Sequence, residues 1–346
     1  MRAILQHGIR DLRLAELPAP EPGPGEVLLR TRAVTICASD LHMWGEGNVG
    51  GVSWDRPFVP GHEVSGVVED PNGSSLAPGT PVVVDPAAPC RGCDMCQSGN
   101  LHLCRHLRFL DLPPVEGAMR ELFAWPAERV FPLPESLDIV EGPLLEPMCV
   151  AVHAVELTSG LAGATVIVVG CGAIGLLVIQ MALLRGARRI LAADPVVGRL
   201  AVAEALGADL TIPVGPNSTK EEVLRATFGG GADIAFEVAG PLEALHDCIE
   251  SVRPRGEVVV IGIPAEDEYR LSAAQMRRRE LTVRFVRRQN ENYPEAISLV
   301  REGRVRLGPL LTHRFPAERA QEAFALAERK QTDRAGEPVV RVAVTF

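Results

Sequence analysis

The sequence predicts an α/β chain of two domains, one irregular and β-rich, the other a doubly wound parallel sheet. Three observations carry this expectation. The 346 residues exceed the roughly 100–200 typical of one domain. Up to about residue 150 the chain reads as short β segments ("EVLLRTRAVTIC", "EVSGVVED", "TPVVVDP") broken by Pro- and Gly-rich loops such as "PAPEPGPGE". From Gly163 the pattern becomes "GATVIVVGCGAIGLLVIQMALLRGARRILAADP", a buried apolar strand, a glycine turn, a long apolar helix and a second strand. That succession is one βαβ unit.

The alternation then continues with the helix "GRLAVAEALG", the strand "ADIAFEVAG", the helix "PLEALHDCIESV" and the strand "GEVVVIGIP". Alternating strands and helices imply a parallel sheet covered on both faces. Beyond Arg284 come a helical "YPEAISLVREG", a turn at "LGPLLTHRF", a helix "AERAQEAFALAERK" and a last strand "PVVRVAVTF". This tail is expected to rejoin the first domain. The boundaries are then 1–153 with a returning 285–346 for the first domain, and 154–284 for the inserted one.

Composition narrows the function. With 47% apolar and 23% charged residues, the chain has no apolar run approaching the roughly 20 residues of a membrane helix. Its N-terminus, "MRAILQHGIRDLRL", lacks the apolar stretch of a signal peptide, so a cytoplasmic location is expected and disulfides are disfavoured. A net charge of −9 opposes a nucleic-acid role, which depends on clustered Lys and Arg. The one basic run, Arg277 to Arg288 ("RRRELTVRFVRR"), reads as a solvated helix end followed by a strand.

Gly170, Gly172 and Gly175 stand in G-x-G-x-x-G spacing directly after a strand and opening a helix. Gly170 permits the tight turn, Gly172 lets backbone approach a pyrophosphate, and Gly175 allows close helix–strand packing, as in a Rossmann dinucleotide fold. The helix N-terminus offers free N–H groups to phosphates. The second strand ends at Asp194, where a carboxylate accepts from ribose hydroxyls and repels a 2′-phosphate. NAD is therefore expected over NADP. A glycine turn without a nucleotide is the competing reading.

Cys90, Cys93 and Cys96 are spaced C-x-x-C-x-x-C, and Cys104 follows after seven residues. In a cytoplasmic protein such a cluster suits a structural S₄ zinc site. The C-x₃-C-P ending of bacterial ferredoxins is absent, which favours zinc over an iron–sulfur cluster. Four sulfur ligands leave no open position, so chemistry belongs elsewhere. His102 and His106 beside the cluster read as surface residues. Cys149, Cys171 and Cys248 read as buried packing cysteines, and His153 as a core histidine.

Further ligand types are scattered: Cys37 in "TICASDLH", His62 and Glu63 in "PGHEVSG", Glu146 in "LLEPMCVAVH". Singly, each has an ordinary structural explanation, and spacing does not join them. With the glycine loop, however, these segments resemble the zinc-dependent medium-chain dehydrogenases, most closely the polyol (sorbitol/xylitol) dehydrogenase branch. The resemblance runs from "EPGPGEVLLR" almost to the C-terminus, through "RFLDLPPVEGAMRE", "LLEPMCVAVHA", "YPEAISLV" and "PLLTHRFPAERAQEAF".

The resemblance implies a chaperonin-10-like (GroES-like) catalytic domain, a Rossmann cofactor domain and an active cleft between them. It implies a catalytic zinc held by Cys37, His62 and a carboxylate, Glu63 or Glu146, with the substrate oxygen or water in the fourth position. Zinc acidifies the bound alcohol, NAD accepts hydride, and Ser39 and His42 resemble the family's relay for the released proton. Arg199 is expected at the adenosine ribose, Ile174 at the cofactor, and Ile261, Gly262 and Ile263 at the nicotinamide side. Arg288 is expected to face substrate and cofactor, and Phe109 to form a pocket wall.

Met43 and Gln289 replace aromatic residues expected in the family pattern, so the pocket is not that of a plain sorbitol enzyme. The expectation is a zinc-containing, NAD-linked enzyme oxidising a secondary alcohol of a polyol or cyclitol-like substrate, and a homo-oligomer, tetramer or dimer, by analogy. An L-threonine 3-dehydrogenase-like enzyme or another secondary-alcohol dehydrogenase is the nearest alternative. A noncatalytic, zinc-stapled NAD-binding protein is the alternative of another class.

Overall fold

The computed structural model describes residues 1–215, 219–265, 268–329 and 332–346. The chain divides into two compact units: Met1–Glu146 with Tyr293–Lys330 and Arg341–Phe346, and Pro147–Asn292 with Gln331–Val340.

The first unit is built on a seven-stranded mixed sheet beside an N-terminal hairpin, Arg2–Gly8 with Asp11–Glu16. Its centre is the strand Glu26–Thr35, which pairs antiparallel with Glu63–Asp70, Leu122–Pro126 and Arg341–Thr345. Alternation explains the inward face, since Val27 and Leu29 are fully buried while their neighbours reach the surface. The strand stops at Thr35, two residues short of the β segment read from sequence, and the helix Ala38–Glu46 follows. Asp40 in its first turn accepts the Cys37 N–H at 2.7 Å, satisfying a backbone donor and fixing Cys37 at the helix entrance.

The segment "LGPLLTHRF" departs from its reading as a turn. Only Gly308–Leu310 turns, and Leu311–Pro316 is a strand parallel to Arg341–Thr345. A parallel neighbour needs a crossover, which the helix Ala320–Arg329 supplies. The last residue of that predicted helical segment, Lys330, lies outside the described residues.

The second unit carries six parallel strands in the order Leu210–Pro213, Arg189–Asp194, Thr165–Val169, Ala232–Glu237, Val252–Val260, Thr282–Phe285. Counted along the chain this is 3-2-1-4-5-6, the dinucleotide-binding order with its switch between the first and fourth strands. All five residues of Thr165–Val169 are buried, as a central parallel strand requires. The following helix, Ala173–Leu184, is apolar on all sides and almost wholly buried. The basic run forms the end of the helix Ala273–Arg278 and the edge strand Thr282–Phe285. Among the described residues no helix is long and apolar enough to cross a membrane.

Candidate active site

Strand register assembles the first centre. Thr35 and Glu63 are direct antiparallel partners, so the chain leaving Thr35 and the chain entering Glu63 lie together at one end of the sheet. One ligand atom from each of Cys37, His62 and Glu63 lies within 4.8 Å of the others. His62 and Glu63 are buried and Cys37 is half-buried. Glu146, in the first turn of the helix Leu145–Glu156, is also buried. Burial pushes its carboxyl up to about 7, with Glu63 and Asp85 adding to the rise against His62 and Arg341.

Sequence reasoning does not reach three side chains at this centre: Asp40, Asp111 and Arg341. The Arg341 guanidinium stands 3.3 Å from Glu63 Oε1 and donates to the Ile36 carbonyl at 2.7 Å. Glu63 Oε2 accepts from the Thr35 hydroxyl. Asp40 and Asp111 both face His62 Nδ1, at 3.8 and 3.4 Å. Burial lifts the Asp40 carboxyl well above the usual range, and neighbouring Asp111 lifts it further. Burial lowers the His62 imidazole, but Asp40, Asp111 and Cys37 raise it, and the net direction is well upward. Groups that hold a proton this firmly on a buried ring also favour a cation there. Phe109 packs its ring 5.4 Å from that of His62. Asp40 lies inside the quoted "CASDLH" and Asp111 inside "RFLDLPP". Their proximity to His62 is the missing signal, and Arg341 has none in sequence.

Ser39 is half-buried on the first turn of the helix Ala38–Glu46. His42, on the same helix, borders a recess of about 230 Å³ with Arg10, Glu46 and Glu328. Its Nδ1 lies 3.3 Å from Glu46 Oε1.

The four clustered cysteines are gathered as S₄, each sulfur within 4.8 Å of the rest. Cys93 Sγ is 3.6 Å from Cys96 Sγ and 3.9 Å from Cys104 Sγ. A tetrahedron with Zn–S bonds of about 2.3 Å has edges of about 3.8 Å, so the spacing fits the ion. Backbone N–H groups of Arg105 and Cys96 bring the Cys93 thiol down to about 6, whereas burial and its sulfur neighbours push Cys96 up to about 12. The N–H groups of Cys90 and His106 point at Cys104 Sγ, at 3.2 and 3.4 Å. His106 is exposed and His102 half-buried.

In the second unit, Gly170 has φ +104° and a Cβ there would lie 2.9 Å from Ala239 N, while a Cβ on Gly175 would lie 1.9 Å from the Gly170 carbonyl oxygen. A Cβ on Gly172 would meet open space. Asp194 is buried at the end of its strand, accepting from Cys171 N at 2.7 Å and Val196 N at 2.8 Å. Arg199 donates to the Val339 carbonyl at 3.0 Å through Nε and brings Nη1 to 4.0 Å from Asp194. Ile174 is half-buried on the helix opening. Ile261 and Gly262 donate backbone N–H groups to the Glu237 carbonyl, and the Glu237 carboxylate accepts from Ala239 N and Gly240 N, each at 2.7 Å. Ile263 is exposed, and Arg288 is half-buried with φ +56°. Cys149, Cys171, Cys248 and His153 are buried, as are Met43 and Gln289.

Comparison with known proteins places these features together. Residues 23–135 match the family described as "Alcohol dehydrogenase GroES-like domain" and residues 173–302 the family described as "Zinc-binding dehydrogenase". The sorbitol dehydrogenase of Bacillus subtilis (strain 168) is 32% identical over 329 residues, covering 94% of this chain and 93% of that protein. That of Gallus gallus is 35% identical over 332 residues, with the same coverages of 94% and 93%. The crystal structure of L-idonate 5-dehydrogenase from Escherichia coli superimposes with a TM-score of 0.90 at 26% identity, covering 100% of this chain and 98% of that one. A GroES-like domain, a Rossmann sheet, an S₄ lobe and full-length similarity to sorbitol dehydrogenases converge: the chain belongs to the zinc-dependent medium-chain dehydrogenases, as an alcohol or polyol dehydrogenase of the polyol-dehydrogenase-like branch.

Proposed function

We propose that the enzyme oxidises a secondary hydroxyl of a polyol or cyclitol-like alcohol to the ketone and passes the hydride to NAD. The observation that carries this reading is the grouping of half-buried Cys37 with buried His62 and Glu63 within 4.8 Å. Thiolate, imidazole and carboxylate are the donors of a catalytic zinc with one open position. The surroundings fit a cation, because Glu63 Oε1 is buried and makes no hydrogen bond, the Arg341 guanidinium standing 3.3 Å away, and Glu63, Cys37, Glu146 and Asp40 all act on that guanidinium. When bound there, zinc supplies a Lewis acid that favours loss of the alcohol proton.

The chain's own residues do the rest. Ser39 takes up the hydroxyl proton and His42 carries it toward the recess that it borders. Phe109 walls the substrate position. Amides opening the helix Ala173–Leu184 seat the pyrophosphate, with Gly172 leaving room for it. Asp194, assisted by Arg199, holds the ribose hydroxyls and turns away a 2′-phosphate. Ile174, the segment Ile261–Ile263 and Arg288 hold the remaining length of the cofactor. In this reading residues 1–153 with 285–346 form the catalytic domain and 154–284 the cofactor domain. None of the eight cysteines is paired in a disulfide, and a cytoplasmic setting belongs to the same proposal. A homo-oligomer belongs to the same proposal by family analogy.

The test is NAD reduction with sorbitol, xylitol, inositols and threonine, on protein whose zinc has been measured. Turnover of a polyol or inositol with two zinc ions per chain supports the reading. Turnover of threonine alone overturns the polyol assignment, and faster reaction with NADP overturns the role given to Asp194.

A further inference from the structure

We propose that Glu237 is a positioning residue for the cofactor, its buried carboxylate holding the turn 238–240 so that the segment 261–263 keeps its place relative to the glycine loop. The inference rests on reading the second unit as an NAD site, with 261–263 on the nicotinamide side. Glu237 ends its strand level with Val169 on one side and Val260 on the other. This is the switch between the first and fourth strands, at the carboxyl ends where dinucleotides lie. The chain leaving Val169 becomes the glycine loop, and the chain leaving Val260 becomes 261–263. The turn 238–240 is tied to both. Val238 N donates to the Val169 carbonyl at 2.9 Å, and Ile261 N to the Glu237 carbonyl at 2.8 Å. On the same two sides backbone packs on backbone: a Cβ on Gly170 would lie 2.9 Å from Ala239 N, and one on Gly262 would lie 2.4 Å from Gly240 N.

A carboxylate is an outlier at this position. Its register partners are two buried valines, and Glu237 is itself only 1% exposed. Burying a carboxylate is costly unless hydrogen bonds compensate. Here they go to the turn, Oε1 accepting from Ala239 N and Gly240 N, each at 2.7 Å. Oε2 is buried against Gly262, where a Cβ would stand 2.5 Å away. Burial raises the carboxyl, and the N–H groups of Gly240, Ala239 and Gly262 oppose the rise. One side chain therefore fixes the turn and abuts the segment beyond it. The glycine loop has separate support, since Gly170 N donates to the Ala193 carbonyl at 2.8 Å. Losing the carboxylate should thus disturb the nicotinamide side and spare the pyrophosphate side.

The test is equilibrium binding of NADH and of ADP-ribose, which lacks the nicotinamide, on the whole chain below each variant's melting temperature. Glu237→Ala should weaken NADH by about tenfold and leave ADP-ribose within about twofold of the parent. A general loss of stability would not separate the two ligands. Glu237→Gln, which keeps an acceptor for the two amides, should recover most of the NADH affinity. Equal losses for both ligands, unchanged NADH affinity, or no recovery in Glu237→Gln overturn the proposal. Should the alanine variant not fold, Glu237→Asp decides, its carboxylate drawn back by a methylene: selective weakening of NADH supports the role, and none overturns it. If the parent binds neither ligand, the underlying reading of the cofactor site fails, whatever Glu237 does.

Discussion

Two glycines three residues apart separate packing from nucleotide binding. A methyl on Gly175 would lie 1.9 Å from the Gly170 carbonyl oxygen, about 1.5 Å inside the 3.4 Å at which ordinary contact begins. That oxygen is backbone and cannot rotate away. The helix Ala173–Leu184 would have to lift off the strand Thr165–Val169, yet both are buried. Overpacking of this kind costs about 1–3 kcal/mol, occasionally more. At about 2–4 °C per kcal/mol for a domain of this size, the upper figure lowers the melting temperature by about 6–12 °C. Gly172 is the contrasting case, with φ −71° and nothing within 4 Å of its Cβ. The entropy gain of Gly→Ala, about 0.4–1 kcal/mol, is offset by a weaker helix cap of similar size. Gly172→Ala should therefore melt close to the parent but, by filling the space left for pyrophosphate, bind NAD at least about tenfold more weakly, or about 1.4 kcal/mol. Calorimetry and NAD titration of both variants check this. Parental NAD affinity in Gly172→Ala would refute the phosphate seat, and a parental melting temperature in Gly175→Ala would refute the packing argument.

Removing the S₄ zinc by chelation, or by Cys93→Ser, should open the 90–104 segment to trypsin at Arg91 and Arg105, while the zinc-loaded chain resists. Mass spectrometry of the fragments reads this out, and identical digestion patterns would remove the structural role. Burial raises the Glu237 carboxyl above its ordinary 4.5, against the N–H groups of Gly240 and Ala239. Folding thus tightens proton binding, and this contribution to stability is present below pH 4.5 and lost as pH rises through the folded value. Glu237→Gln should then gain on the parent in melting temperature from pH 4.5 toward neutrality, and a constant difference would contradict the assignment. Asp194→Ala should lower the ratio of kcat/KM for NAD over NADP at least about tenfold. It also orphans the buried amide of Cys171, costing about 1–3 kcal/mol, and frees the half-buried amide of Val196, so the ratio is measured well below the new melting temperature. An unmoved ratio counts against the ribose role.

The parallel sheet is legible from sequence because its central strands are buried on both faces, so Thr165–Val169 and Val258–Val260 read as continuous apolar runs between helices. The first unit is less so. Its central strand, Glu26–Thr35, takes partners from residues 63–70, 122–126 and 341–345, and no local window contains such pairings. The helix Ala38–Glu46 escapes for a local reason. "ASDLHMWGE" has weak apolar periodicity, and its entrance is secured by one side chain, Asp40, on the Cys37 amide. The S₄ lobe is wholly local, since fifteen residues contain all four sulfurs. The other centre spans Cys37 to Arg341, and only the pairing of Thr35 with Glu63 brings its first members together.

That pairing also separates the two carboxylates that sequence alone leaves equivalent. Glu63 lies in the ladder itself, its Oε2 taking the Thr35 hydroxyl and its Oε1 facing Arg341, so its position follows from strand register and ion pairing. Glu146 starts a helix instead, and burial pushes its carboxyl up to about 7 with Glu63 as an added repulsive neighbour. The difference in setting supports the proposal that Glu63, fixed by register and ion pairing, is the carboxylate partner of Cys37 and His62, with Glu146 nearby at the start of its helix. Arg341 completes the centre. It reaches the centre from the far end of the chain, brought there by the pairing of Arg341–Thr345 with Glu26–Thr35, and its guanidinium stands 3.3 Å from Glu63 and acts on Glu146 as well.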